Sequence, residues 1–326
     1  MKFSIIICTH NVFDRLSETL DSILDQTYLD YEVIIIDGAS NDGTQAIVKK
    51  YEDKFAGKLR WISEKDSGIY NAMNKGVKMA TGRLLNIIGA GDWLEKDALW
   101  QASKCLEKYP MADAVYGTTR FWDKDKKTNC LVRTSPEDLP HQPMQHPSIF
   151  YKKSLHNKFG LYNERYEIAA DYDFCLKAFY LGQANAESFD AVVDNFVRDG
   201  ISHIRKKECF KETMQIRREA RTQIKEKFLE LLKKRNRGLV VELEAIYASC
   251  KWKFLQIIYG ICNKITPKGR FEMKIGKKDE LLIMDIDEIE KIDERNNKLA
   301  AELESIRAYA GWRFLQIPES FFRKLF

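Results

Sequence analysis

Short, continuous apolar runs alternate with segments of helical spacing through the first two-thirds of the chain. SIIIC (4–8) reads as a buried strand, and FDRLSETLDSILDQ (13–26) as an amphipathic helix with Leu16, Leu20, Ile23 and Leu24 on one side. YEVIIID (31–37) is a second strand, closed by the turn-rich GASNDGT and followed by a helix through QAIVKKYEDKF (45–55). KLRWISE, GIYNAMNKGVKMA and GRLLNIIG add a strand, a helix and a fourth strand. Strands that are apolar at successive positions are buried on both faces, which predicts an α/β fold: a mostly parallel sheet with helices on both faces. DAVYGTTRFW, HPSIFYK and AVVDNFV, with the helix DYDFCLKAFYLG, extend that sheet with some antiparallel pairing. Open α/β sheets bind ligands at the carboxyl ends of their strands, where Thr9, Asp37, Asp66 and Asp92 fall.

Beyond about residue 205 the pattern turns helical and repeats. LVVELEAIYASCKWKFLQI (239–257) and LAAELESIRAYAGWRFLQI (299–317) agree at 11 of 19 positions. Leu229, Leu232, Asn236, Leu239, Leu243 and Ile246 alternate by three and four, as do their counterparts from Ile289 to Ile306. That is a heptad seam carrying one Asn, a device that sets register in coiled coils; ordinary helical-hairpin packing gives the same pattern. Each copy ends in Trp and Phe mixed with Lys and Arg, as an interfacial helix requires, although a helix buried against protein looks similar. The expected division is an α/β domain at 1–203, a basic helical linker at 204–236 and a duplicated amphipathic module at 237–326.

Charge sharpens that division. The net +5 of the 326 residues conceals 25 Lys and Arg against 29 Asp and Glu in 1–203, 21 against 8 in 204–278, and 7 against 11 in 279–326. The basic stretch suits an anionic membrane surface; it lacks a nucleic-acid recognition motif, and its interleaved Trp, Phe and Leu favour lipid. Seven scattered Cys with no C-x-x-C pair read as reduced thiols, so a cytoplasmic protein is expected. No apolar run reaches bilayer-spanning length, and KFSIIICTHN is read as a first strand, not a secretory signal.

The run NIIGAGDWL delivers Asp92 to a tip flanked by Gly89 and Gly91. So bare a tip admits a bulky anion or a metal close to the backbone; a helix N-cap is the competing reading. SIIICTHNVFDRLSETLDSILDQT, YEVIIIDGASNDGT, DSGIYNAMNKG, NIIGAGDWL and IAADYDFCLKA follow in that order. Together they resemble the family 2 glycosyltransferases of GT-A fold, inverting enzymes that use sugar nucleotides, over about residues 1–203.

The resemblance implies roles for particular residues. Thr9, Asn11, Asp37 and Asp66 would lie around the nucleoside, and Asp171 would be the general base, with Asp173 as support. His146 would stand near the acceptor. Asp92 corresponds to the last carboxylate of the family's metal motif and would hold Mn2+ or Mg2+ together with diphosphate oxygens and water, the metal arriving on the nucleotide; His203 is a candidate second ligand or diphosphate contact. This chain departs from that motif, having Gly89-Ala90-Gly91 where further carboxylates are usual. Glu164, Arg165 and the loop RDGIS are left without roles, and DKDKKTNCLVRTSPEDLP is expected to be a mobile acceptor loop. The implied activity is sugar transfer from a nucleotide-sugar, UDP-linked, to a glycan acceptor carried on lipid, in surface polysaccharide synthesis. The enzyme would sit at the inner membrane face, with homo-oligomerisation open. A non-catalytic sugar-nucleotide scaffold is the alternative; a nucleotidyltransferase lacks its phosphate loop here.

Overall fold

The computed structural model describes residues 1–123, 125, 127–224, 226, 227 and 230. The heptad seams beyond residue 230, the duplicated module at 237–326 and the membrane and coiled-coil expectations lie outside these residues.

The chain begins β1 (Phe3–Thr9), α1 (Phe13–Leu24), β2 (Tyr31–Asp37), α2 (Thr44–Glu52), β3 (Leu59–Ser63), α3 (Ile69–Met79) and β4 (Leu84–Gly89). There follow β5 (Trp93–Leu94), α4 (Ala98–Lys108), β6 (Ala114–Trp122), β7 (Asn129–Val132), β8 (Ile149–Lys152) and α5 (Ser154–Phe159). Then come α6 (Ala170–Cys175), continued as a π-helix to Leu181, β9 (Ala186–Val197), α7 (Ile201–Ile204) and α8 (Lys206–Glu219). The sheet order is β3-β2-β1-β4-β8-β6-β9-β5, with β7 against β6. The β3-β2-β1-β4 half is parallel, as expected; β8, β5 and β7 pair antiparallel with their neighbours, so the sheet as a whole is mixed.

The continuous apolar runs of β1 and β2 are explained by cover on both faces. Ile5, Ile7, Val33 and Ile35 pack in one cluster with Leu16, Leu20 and Ile23 of α1. On the other face Ile6 and Ile36 meet α3 at Gly76, where an added Cβ would stand 2.4 Å from Ile6 Cγ2. Ile6 is fully buried, so overpacking there outweighs the helix propensity that Ala would add. Gly76→Ala is expected to lower unfolding free energy by about 1–2 kcal/mol in urea titrations.

One sequence expectation changes. The polar segment 123–140 contains β7, which pairs with β6 from Thr119↔Val132 to Trp122↔Asn129. One compact unit spans Met1–Arg221 and includes α8. Among the described residues, no helix is long and apolar enough to cross a membrane.

Candidate active site

A cavity of about 660 Å³ opens where β1 and β4 end, lined by Thr9, Gly89 and Ala90. The first turn of α3 forms one wall, and the segment from Phe196 to Arg205 contributes another. Asp66, Asp92, His146 and Asp171 all line it. Residues from far-separated motifs therefore share one cleft.

At one end, Thr9 closes β1 opposite Asp37 of β2 and donates its hydroxyl to Asp37 Oδ1 at 3.0 Å. Asp37 is fully buried and does not itself line the cavity. Burial alone would raise its pKa, but hydrogen bonds from Ser40, Ser63 and Thr9 outweigh that and hold it below the usual carboxylate value. It is linked to the cavity lining through Thr9. Asn11 shapes the same turn: its φ is +53°, and its Oδ1 accepts the Asn41 N–H at 3.0 Å. It lies outside the cavity lining. Asp66 is half-buried and accepts the Gly68 N–H at 3.1 Å; a Cβ on Gly38 would come within 2.7 Å of its Oδ2.

Asp92 is no helix cap, since α4 starts several residues later behind Asp97. Its turn is fixed by Thr19 of α1, whose hydroxyl donates to Asp92 O at 2.7 Å and accepts the Gly91 N–H at 2.8 Å. Gly91 has φ +102°, a conformation that favours glycine. Asp92 Oδ1 accepts the Val197 N–H at 2.9 Å, and a Cβ on Gly89 would lie 2.7 Å from Oδ2. Burial pushes the Asp92 carboxyl up to about 7, partly opposed by that N–H and by Arg15.

Asp171 sits in the first turn of α6, half-buried, with Oδ1 accepting the Tyr70 hydroxyl at 2.8 Å. Burial raises the Tyr70 phenol well above its ordinary pKa, and the Asp171 charge adds to this, so it stays a donor. Asp171 also lines the cavity. The approach to α6 is held from α8: Glu212 accepts the N–H groups of Glu167, Ile168 and Ala169 at 2.9 to 3.0 Å. Glu164 clamps the same loop to α3, accepting from Asn74 at 2.8 Å and Asn71 at 2.9 Å.

His146 lines the cavity with its Nε2 2.9 Å from the Tyr162 hydroxyl, and that hydroxyl also meets Tyr151. Burial lowers its pKa, so the imidazole is neutral near pH 7. Asp173 points elsewhere, into an ion pair with Lys177 at 2.6 Å, and does not line the cavity. His203 is exposed on α7 and lies outside the lining too.

The metal implied by the resemblance can be tested on the donor set. Among the described residues, no group of three or more His, Cys, Asp or Glu could hold an ion. Hard divalent cations take six or more ligands, largely oxygen. Asp92 offers one carboxylate, already bonded through one oxygen, and the expected second ligand His203 is turned away. These residues do not fit a resident ion.

The Glycosyl transferase family 2 model matches residues 4–177. The chain belongs to glycosyltransferase family 2. This family 2 enzyme is 36% identical over 184 residues to a PGL/p-HBAD biosynthesis glycosyltransferase of Mycobacterium tuberculosis, a match spanning 54% of this chain and 69% of that one. An uncharacterized glycosyltransferase of Methanocaldococcus jannaschii is 26% identical over 206 residues, spanning 60% and 68%. The fold resembles crystal structures of S. aureus TarS residues 1–349: the complex with UDP-GlcNAc gives TM-score 0.56 at 21% identity, and the complex with UDP 0.52 at 23%. The matches cover 67% of this chain, and 65% and 64% of TarS 1–349 respectively. The GT-A fold is thereby shown, and single-displacement inversion is consistent with family 2.

Sequence reasoning missed several residues of this glycosyltransferase. Tyr70 lies inside DSGIYNAMNKG, and its place directly after the Asp66 turn was the available signal. Arg15 and Glu212 carry none, being single charged residues on amphipathic helices. Asp199, in the unassigned RDGIS loop, lines the cavity.

Proposed function

We propose that the enzyme moves a sugar from a UDP-sugar to a hydroxyl of a glycan acceptor carried on lipid, in building a surface polysaccharide. The observation that carries this reading is the shared cleft: Asp92 on the β4–β5 turn and Asp171 at the start of α6 line one cavity. Inverting transfer needs a carboxylate to take the acceptor's proton opposite the departing diphosphate. In this reading Asp171 is that base, oriented by Tyr70. Thr9 and Asp66 receive the nucleoside, with Asp37 and Asn11 shaping the turn behind them. Asp92 faces the diphosphate, His146 faces the acceptor, and Asp173 supports α6. Similarity to a mycobacterial glycosyltransferase of PGL/p-HBAD biosynthesis supports a glycan-building function. We further propose attachment to the cytoplasmic membrane face through residues 237–326, supported by the basic stretch and its repeated aromatic segments.

Melting the protein with UDP-, GDP- and dTDP-sugars tests the donor assignment. A ligand at 100 times its Kd adds about 2.7 kcal/mol, enough to raise the melting temperature by several degrees. UDP-sugars should give the largest rise. No rise with any of the three would overturn the reading.

A further inference from the structure

The turn Gly89-Ala90-Gly91-Asp92 lacks side chains where the family's motif usually places further carboxylates. A guanidinium stands there instead. Arg15 of α1 lines the cavity, and a Cβ on Gly91 would come within 2.4 Å of both its Nε and Nη2. Arg15 therefore occupies the space that a side chain at 91 would take, beside Asp92. Its Nη2 donates to Asp199 Oδ1 at 2.7 Å, and both partners are partly exposed, at 35% and 21%. Asp199 also lines the cavity, from the loop between β9 and α7.

Two features make this pair exchangeable. A guanidinium has five donors in a planar fork, and a diphosphate accepts them bidentately with more charge than a single carboxylate. The contact also lies at a cavity wall, where an entering anion can reach it. We propose that Arg15 is the diphosphate-binding cation of this enzyme, and that Asp199 is the counter-ion it leaves when the nucleotide enters. The proposal rests on the sugar-nucleotide reading above. It supplies the positive charge that the donor set for a resident metal does not.

Calorimetric titration of UDP, GDP and dTDP, and of their nucleosides, in EDTA tests it on the full-length wild type, R15Q, R15K and D199N. Wild type should bind the preferred diphosphate without added metal. R15Q should weaken that diphosphate about 10-fold or more, with R15K losing less, while nucleoside affinity stays unchanged. D199N should tighten it about 2- to 5-fold by removing the competing carboxylate. R15Q and D199N break the same ion pair, so a purely structural strut would move both in one direction. D199N weakening the diphosphate as R15Q does, R15Q matching wild type, or wild-type binding that appears only with Mn2+ would each overturn the proposal and leave the donor reading standing. Wild type binding none of the diphosphates under either condition would overturn both.

Discussion

Asp171→Asn is expected to lower the rate of sugar transfer by about 10²- to 10⁴-fold, the range in which a positioned general base contributes. Asn keeps the size of the side chain and can still accept the Tyr70 hydroxyl, so α6 and its hydrogen bond persist. It cannot take the acceptor's proton. Donor affinity, measured by calorimetry, should therefore stay within about threefold of wild type, because binding and proton abstraction are separate functions. Single-turnover transfer of labelled sugar is the deciding measurement. Transfer at the wild-type rate would overturn the proposal that Asp171 is the base.

Glu32→Gln should have the largest effect on stability. Glu32 of β2 is 5% exposed and accepts from Ser4 Oγ at 2.6 Å, Thr81 Oγ1 at 2.9 Å, Gly82 N–H at 3.1 Å and Arg60 Nη2 at 2.8 Å. It thereby ties β1, β3 and the α3–β4 turn together. Burial alone would raise its pKa, but these donors lower it from 4.5 to about 2. A tenfold difference in proton affinity between the folded and unfolded chain is worth about 1.4 kcal/mol, so the carboxylate contributes about 3 kcal/mol at neutral pH. Because the folded pKa is the lower one, that contribution is complete above about 4.5 and is lost as pH falls toward 2. Urea titrations at pH 7 should show Glu32→Gln less stable by about 3 kcal/mol, with the gap closing between pH 4.5 and 2. A gap independent of pH would assign the loss to packing instead.

Much of the fold was legible in the apolar runs. β1, β2 and β4 are buried on both faces, so apolar residues run through their centres without period-two alternation, and the Leu and Ile spacing of α1 leaves little choice of element. β7 carried no such signal: Asn129, Cys130 and Leu131 are exposed, and pairing with β6 gives them their strand. β5 has two residues, too few for a period, and is set by pairing with β9. In the site, Asp92 stood out because glycines bare it, and Asp171 through the resemblance of its motif to the family's. Asp37 stood out equally, yet it lies buried behind Thr9.

The apolar runs determined by themselves the α/β architecture, because burial periodicity is local, while the order of the motifs carried the resemblance to the family and, through it, which carboxylates to examine. Only the tertiary structure decided which charges share the cleft. It brought Arg15 over Gly91 against Asp199, 184 positions away, set Tyr70 on Asp171, reached Glu212 across from α8, and turned Asp173 and His203 aside. Side chains from distant segments meet through the closing of the sheet and the docking of α8, and no local pattern encodes the direction in which a lone charged residue on a helix will face.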